Sequence, residues 1–317
     1  MTRFIVFLML IFMSLGCKKN DSKTNITISS ISDITATEAT IIGELVVNNS
    51  VLVISKGICW SKFPKPVYAD SKLSNGTDPG SFTGIITGLN SSTKYYVRAY
   101  VITKIDTFYS NELSFTTEEM FKTITDTRDG QTYKTVKIGK QTWFAENLRY
   151  SGNLPEVKSD EEWKLQDKPA WCYFHNKANM NNLDTIIYGK LYNWYAVNES
   201  NVCPVGWHVP SDDEWNKLSN HLGGDSIAGQ KMKNKIEGWI WPDDLLGRNE
   251  SGFSAVGGGG RSAYGTFTWI LYFGYYWSST EKNANYAWIR YLFYNEKSID
   301  RVDVEKRTGL SIRCIKD

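Results

Sequence analysis

Aromatic residues crowd the second half of the chain, and their chemistry is the easiest to interpret. Eleven of the twelve tryptophans follow Lys140. Successive side chains of a strand point to opposite faces, so Trp288 and Tyr291 cannot both face one core. Exposed aromatic rings are surfaces on which sugar rings and peptides stack. We therefore predict an aromatic ligand-binding surface, with the alternative that loops cover these rings; the candidates are Trp277, Trp288, Tyr291 and Tyr275.

Patterns of catalytic or metal chemistry are weaker. The histidines show neither a His-Glu-x-x-His pattern nor cysteine pairing at metal-ligand spacing. The glycine run 257–260 lacks the Gly-Lys-Ser/Thr ending of a phosphate-binding loop. We predict no catalytic residue, no metal ligand and no cofactor. The alternative is an enzyme acting on polysaccharide or on exported proteins, which needs paired carboxylates in a cleft. Its candidates are Asp243, Asp244 and Glu281.

The N-terminus has the features of an export signal. Arg3 precedes the apolar run Phe4–Leu15, which is shorter than a bilayer span but suits a signal peptide. The run ends at Gly16-Cys17, which resembles the lipobox of bacterial lipoproteins, although Ser14 stands where that motif usually has Leu. We predict a signal peptide at 1–16 and a lipidated Cys17 opening a tether at 17–24. An ordinary secretory signal is the alternative.

Composition limits the remaining possibilities. The 317 residues, 41% hydrophobic and 14% aromatic, are enough for two ordinary cores. A net charge of +2 without a basic block argues against nucleic acid as a partner. The cysteines after Cys17 allow three complete pairings, and the residues alone do not select one. These cysteines are Cys59, Cys172, Cys203 and Cys314.

Residues 25–117 have the pattern of an all-β sandwich. Short runs rich in β-branched residues alternate with turn-forming clusters such as Asp78-Pro79-Gly80. The run around Tyr95, with the preceding Gly57–Ser61, resembles a fibronectin type III domain with Tyr95 in the tyrosine-corner position. We expect Cys59 to be a small buried apolar residue. The predicted strands are 26–31, 40–47, 51–60, 81–89, 93–101 and 107–116.

Residues 118–317 mix strands and helices. Asp129-Gly130 predicts a tight turn, followed by strands at 133–138 and 141–145. Helical spacing predicts an amphipathic helix over Tyr188–Ala196. Ser211 and Glu214 form a predicted capping box for a second helix, whose entrance His208 is expected to fix. Aromatic strands are predicted at 275–279, 286–294 and 310–315.

Several ordered blocks of this second region resemble the Fibrobacter succinogenes major paralogous domain of bacterial surface lipoproteins. The blocks are 129–133, 138–139, 141–148, 189–196, 203–210, 277–280 and 312–314. The start of the second helix and the closing strand are also similar to C-type-lectin-like and sulfatase-modifying-factor folds. The resemblance implies an α+β fold with two helices and short antiparallel sheets. It implies no defined activity.

The same resemblance bears on the cysteines and on calcium. In lectin-like folds the second helix and the last strand pack together, which makes Cys203 and Cys314 a disulfide candidate; Cys172 with Cys203 is the alternative. Sulfatase-modifying chemistry needs a cysteine pair near the C-terminus, where only Cys314 lies. Asp243, which follows a proline, resembles the first part of a lectin-like calcium site. Ser278-Ser279 stands where the second part, an Asn-Asp pair, is expected, so calcium is kept only as an alternative.

These observations predict a lipid-anchored protein of the bacterial cell envelope, at the outer membrane or cell surface. The sandwich would act as a spacer, and the second domain would bind a glycan or an envelope protein without catalysis. The alternatives are the enzyme described above and a structural envelope component. The predicted attachment to the membrane is through the N-terminal lipid.

Overall fold

The computed structural model describes residues 24–48, 51–176, 184–199, 201–234, 238–240 and 249–317. Cys17 and Asp243, which the sequence singles out, lie outside these residues. The chain divides into two compact units. One holds the described residues up to Ser30 together with Ile41–Gly84 and Tyr96–Ser114. The other holds Ile31–Thr40, Ile85–Tyr95 and Phe115–Asp317.

The N-terminal strands form two sheets, as the short runs and turn signals predict. One sheet has the order β1-β2-β5, and the other has the order β4-β3-β6-β7 with β8 paired to β6. Alternation buries Ile41 and Leu45 of β2 and Val97 of β6, so each sheet turns one apolar face inward. The strands are β1 Asn25–Ser32, β2 Ala39–Val46, β3 Val53–Ser61, β4 Ser71–Ser74, β5 Gly80–Ile86, β6 Lys94–Thr103, β7 Thr107–Tyr109 and β8 Leu113–Thr116.

Details of this sandwich confirm some predictions and correct others. The Tyr95 hydroxyl accepts a hydrogen bond from the backbone N–H of Asn90 at 3.0 Å, the contact expected of a tyrosine corner. Cys59 is a free, fully buried thiol, and burial raises its pKa to about 11. The run predicted as one strand at 107–116 is two strands, and β4 was not predicted.

The C-terminal region contains two five-stranded sheets and a two-stranded one. Their orders are β14-β20-β11-β10-β9, β16-β15-β17-β18-β19 and β12-β13. The strands are β9 Lys122–Thr125, β10 Thr132–Ile138, β11 Gln141–Phe144, β12 Trp171–Cys172, β13 Leu191–Tyr192, β14 Trp207–His208, β15 Gly258–Arg261, β16 Phe267–Ile270, β17 Phe273–Glu281, β18 Tyr286–Phe293, β19 Asp300–Glu305 and β20 Ile315–Lys316. The β10–β11 hairpin lies where it was predicted.

Among the residues that the structure describes, five short α-helices accompany these sheets, where the resemblance implied two. They are α1 Asp160–Lys164, α2 Asp184–Tyr188, α3 Trp194–Val197, α4 Asp212–His221 and α5 Asp225–Met232. In α4 the predicted capping box is present, because the Ser211 side chain accepts from Glu214 N and the Glu214 carboxylate accepts from Ser211 N. Trp215, Leu218 and Leu222 are buried, as their spacing predicts. No helix among the described residues is long and apolar enough to cross a membrane.

The helix predicted over 188–196 is wrong. Gly189 has φ +69°, which ends α2, and Leu191 and Tyr192 form β13 against β12. Asn193 then caps the separate helix α3 by accepting from Ala196 N at 3.1 Å. The apolar residues that suggested one helix therefore belong to three separate elements, and period alone does not distinguish that case from a helix.

The closing segment is also less regular than predicted. Only β20 is a strand; Leu310 and Ser311 make isolated bridges, to Tyr192 and Tyr276. The residues from Leu310 to Ile315 are all buried, so there is no exposed face to impose an alternation. Buried Arg313 is accommodated because each of its nitrogens donates: to Asn147 Oδ1, to the carbonyls of Phe144 and Phe253, and to that of Ser254.

A disulfide ties this segment to the loop before β14. Cys203 and Cys314 are bonded, 111 residues apart, which is the pairing that the resemblance implied. Cys172 is instead a free thiol, and burial raises its pKa to about 12. A buried thiol of such high pKa is a packing group and not a nucleophile.

His208 joins the start of α4 to the C-terminus. Its Nε2 lies 3.0 Å from the Glu214 carboxylate, and its Nδ1 lies 2.6 Å from that of Asp317. Burial lowers the pKa of His208, but the two carboxylate hydrogen bonds outweigh this and raise it above its usual value. This contact confirms the predicted role of His208 at the entrance of the helix.

The raised pKa predicts how stability depends on pH. A raised folded-state pKa means that this contribution is complete below the unfolded pKa, about 6.5, and is lost as pH rises through the folded value. Because the ring is partly exposed, we expect the loss to be under about 1 kcal/mol. Urea unfolding of His208→Gln against the native chain, from pH 5 to 9, should show a difference that shrinks with rising pH. A constant difference would contradict the contact.

Candidate functional site

A cleft of about 360 Å³ opens beside the sheet that contains β15 to β19. Four aromatic side chains from different elements line it: Tyr264, Trp269, Tyr275 and Tyr286. They come from the turn after β15, from β16, from β17 and from the start of β18. The volume falls in the range typical of sites for small molecules. All of these elements belong to one compact unit.

Trp269 is the most unusual residue of the cleft. Its side chain is 56% exposed, although large aromatic side chains usually bury most of their surface. Its φ is +64°, a conformation that costs a side chain of this size of order 1 kcal/mol or more. The ring contacts Phe273 and Tyr272, with centroids 5.7 and 6.3 Å away, and much of its surface stays exposed. Backbone strain that displays an exposed indole is a typical feature of a binding site.

Tyr264 is presented by a tight turn. Gly265 donates its N–H to the Ser262 carbonyl at 3.0 Å, and Tyr264 is 66% exposed at the tip. Gly265 has φ +94°, and a Cβ on it would lie 2.7 Å from that of Asp160. Only glycine meets both conditions without strain, so the turn is fixed against the segment that opens α1.

Arg261 lies beneath this turn and holds it in place. Its side chain is fully buried, and each nitrogen donates: Nε to the Gly265 carbonyl at 2.9 Å, one terminal nitrogen to the Val157 carbonyl at 2.6 Å, and the other to Asp160 and the Lys158 carbonyl. The guanidinium also lies between the rings of Trp163 and Phe267, 4.6 and 4.8 Å from their centroids. A buried cation needs this many partners because its desolvation is costly.

Tyr275 forms the opposite wall as part of an aromatic stack. Its ring is parallel to that of Phe273, at 5.2 Å, and tilted against Tyr291, at 6.1 Å. Burial, reinforced by Tyr291, raises the pKa of Tyr275 to about 12. The hydroxyl therefore stays protonated and can both donate and accept a hydrogen bond. Among the described residues it has no hydrogen-bond partner.

The four rings surround open space instead of packing on one another. No ring contact joins any two of them, although Trp269 and Tyr275 each contact Phe273. Between them the lining is apolar at Ile289 and Leu310 and polar at hydroxyls and one carboxylate, that of Glu305. An amphipathic ring could enter, stack on an aromatic face and exchange hydrogen bonds with the rim.

The structure places the predicted ligand-binding residues differently. Tyr275 lines the cleft, and Tyr291 packs behind it. Trp277 is fully buried and donates its indole N–H to the Tyr192 carbonyl at 2.7 Å, so its assignment to an exposed surface is corrected. Trp288 lies elsewhere, covered by Arg301, whose guanidinium carbon is 3.3 Å from the ring centroid. Asp243 lies outside the described residues.

Tyr264, Trp269 and Tyr286 also line the cleft, but the sequence patterns did not predict them as ligand-binding residues. Tyr264 immediately precedes a glycine, which is a turn-tip signal that could have been used. Nothing in the sequence around Trp269 reports its positive φ. No group of three or more potential metal-ligating side chains occurs among the described residues. Glu281, a carboxylate of the enzyme alternative, is 58% exposed, pairs with Lys306 and does not line the cleft.

The role of Arg261 predicts a large effect of its removal. Arg261→Met keeps the apolar stem but leaves three carbonyls and Asp160 without their donor, so we expect a loss of about 3–5 kcal/mol of unfolding free energy. Arg301→Met is the matched control; that guanidinium is 40% exposed, and its loss should cost about 1 kcal/mol or less. Equal losses in urea unfolding of the two variants would contradict the proposed anchor.

The chain is similar to solved structures and to the model of a known protein family. Two similar solved structures each cover less than a third of this chain. One is the sensor domain of the anti-sigma factor RsgI4 of Pseudobacteroides cellulosolvens, 24% identical, covering 31% of this chain and 98% of that chain, with a TM-score of 0.26. The other is the sixth fibronectin type III domain of human fibronectin type III domain containing protein 3, 20% identical, covering 30% and 85%, with a TM-score of 0.24. Both TM-scores are too low to support a conclusion.

No curated protein matches the chain. The family model of the Fibrobacter succinogenes major domain matches residues 136–316, which include the disulfide and the whole aromatic cleft. Because this match covers more than half of the 317 residues, the protein belongs to the family of the Fibrobacter succinogenes major domain.

Proposed function

We propose that the protein is a non-catalytic glycan-binding protein of the bacterial cell surface and that its ligand binds in the aromatic cleft. The observation that carries this proposal is Trp269, an indole held half-exposed at a strained φ beside open space. The ring contacts Tyr272 and Phe273, yet the residue remains 56% exposed. A ligand stacked on the exposed ring would account for that exposure.

The chemistry of the lining favours a sugar. The apolar C–H face of a pyranose stacks on aromatic rings, while its hydroxyls need hydrogen-bond partners at the edges. The cleft provides both: aromatic walls and a rim with Ser262, Thr268 and Thr308 hydroxyls. The alternative ligand is an envelope protein, and a binding assay would then detect that protein in place of a glycan.

We propose a non-catalytic role because the described lining of the cleft lacks a pair of carboxylates. Glycoside hydrolysis needs two carboxyl groups on opposite sides of the scissile bond. Within the described lining of the cleft there is one, that of Glu305. Asp243 and Asp244 lie outside the described residues, so the enzyme alternative remains a prediction tested by the absence or presence of glycan cleavage.

We further propose that Cys17 anchors the protein by a lipid and that the sandwich holds the binding domain away from the membrane. The support is the sequence itself: an apolar run followed by Gly16-Cys17. Several acyl chains on one cysteine anchor a protein stably, whereas a single chain does so only marginally.

The anchor predicts a labelling result. Cells expressing the full chain should incorporate tritiated palmitate into it, and Cys17→Ser should abolish the label and release the protein into the soluble fraction. Cys59→Ser is the control, since that thiol is buried and should leave labelling unchanged. Full labelling of Cys17→Ser would contradict the lipid anchor.

The cleft predicts a binding result. On a glycan panel and by calorimetry, Trp269→Ala should weaken binding at least tenfold, since a central aromatic contact contributes about 2 kcal/mol. Its unfolding free energy should fall by no more than about 1 kcal/mol, since the ring is mostly exposed. Trp288→Ala is the matched control, because that ring belongs to the same sheet but lies outside the cleft. Equal weakening by both variants, or unaltered binding by Trp269→Ala, would contradict the site.

A further inference from the structure

The cleft carries an uneven distribution of charge. Its described lining contains one cation, Arg261, and one anion, Glu305. The Arg261 side chain is fully buried and donates to three carbonyls and Asp160. Its charge is therefore turned away from the open space. Lys306, the neighbour of Glu305, is also buried and pairs with Glu281. No cation of the described lining is available to a ligand.

Glu305, in contrast, is available. It ends β19, directly opposite Tyr286 of β18 in the antiparallel register, and is 26% exposed. Its Oε2 accepts from Arg307 at 3.0 Å, and its Oε1 has no hydrogen-bond partner among the described residues. Arg307 directs its other terminal nitrogen to the Lys164 carbonyl and does not line the cleft. Glu305 lines the cleft, so this unpartnered oxygen is available to a ligand.

We infer that Glu305 makes the cleft selective for neutral glycans over acidic ones, an inference that rests on the proposed function. A carboxylate accepts hydrogen bonds from sugar hydroxyls, and these charge-assisted bonds are stronger than neutral ones. The same carboxylate repels a uronate or sulfate held against the neighbouring rings, although its ion pair with Arg307 compensates part of the charge. At this partly exposed site we expect a difference in affinity of about two- to fivefold, which salt screens.

The experiment compares charged and uncharged forms of the same polymers. The probes are hydroxyethylcellulose with carboxymethylcellulose, and methyl-esterified with de-esterified homogalacturonan, measured by affinity electrophoresis and calorimetry at 20 and 300 mM salt. The proteins are the native chain, Glu305→Gln and Asp303→Asn. The last variant removes a negative charge from the same strand, at a residue that pairs with Lys282 and does not line the cleft.

We expect the native chain to prefer the neutral member of a pair at low salt and to lose part of that preference at high salt. Glu305→Gln should abolish the preference, by weakening neutral binding and strengthening acidic binding, while Asp303→Asn retains it. A preference for the acidic member, or one that Glu305→Gln leaves intact, overturns the inference but leaves the proposed glycan site standing. Failure to bind any member overturns both.

Discussion

The cleft of the C-terminal region depends on one constraint: the N–H groups of a fully buried guanidinium must find hydrogen-bond acceptors. Arg261 meets that constraint by joining two distant parts of the chain. It reaches the carbonyls of Val157 and Lys158 on one side and that of Gly265 on the other. The cost of leaving a buried cation unpaired therefore fixes the turn that carries Tyr264. Arg261 holds this turn as a wall of the cleft, and its buried side chain leaves the cleft open.

The same solution recurs in the core. Arg313 lies fully buried behind the closing segment and donates to the carbonyls of Phe144, Phe253 and Ser254. Domains with short strands and long irregular connections contain many backbone carbonyls outside regular ladders, and those carbonyls need donors when they are buried. An arginine supplies several donors from one side chain. Buried arginines thus do here what regular secondary structure does elsewhere.

Local signals in the sequence predicted the elements that local physics determines. The β10–β11 hairpin follows from the two short runs on either side of Gly139-Lys140, and the capping box of α4 follows from Ser211 and Glu214. The sandwich strands follow from alternation and turn residues. The disulfide between Cys203 and Cys314 was reached through the family resemblance, since the residues alone allowed three pairings.

The predictions failed where tertiary packing, and not local sequence, determines the structure and the exposure of a residue. The spacing over 188–196 looked helical although its residues belong to α2, β13 and α3, which the turn at Gly189 helps to separate. Trp277 and Tyr275 lie on the same strand and differ by two residues, yet Trp277 is fully buried and Tyr275 lines the cleft. The sequence of the strand does not show which of its positions other elements cover. Trp269 was missed since its exposure and positive φ depend on contacts that its neighbours in sequence do not report. Aromatic content alone therefore indicated the sheet beside the cleft, but of the four predicted rings only Tyr275 lines it.

The most direct test is a crystal structure of the protein with a neutral oligosaccharide selected from the glycan panel. We expect a pyranose ring stacked on the exposed indole of Trp269, about 4 Å away, with Tyr264 and Tyr275 at its edges. A sugar seated on Trp288 or on the sandwich, with the cleft between Tyr264 and Tyr286 empty, would contradict it.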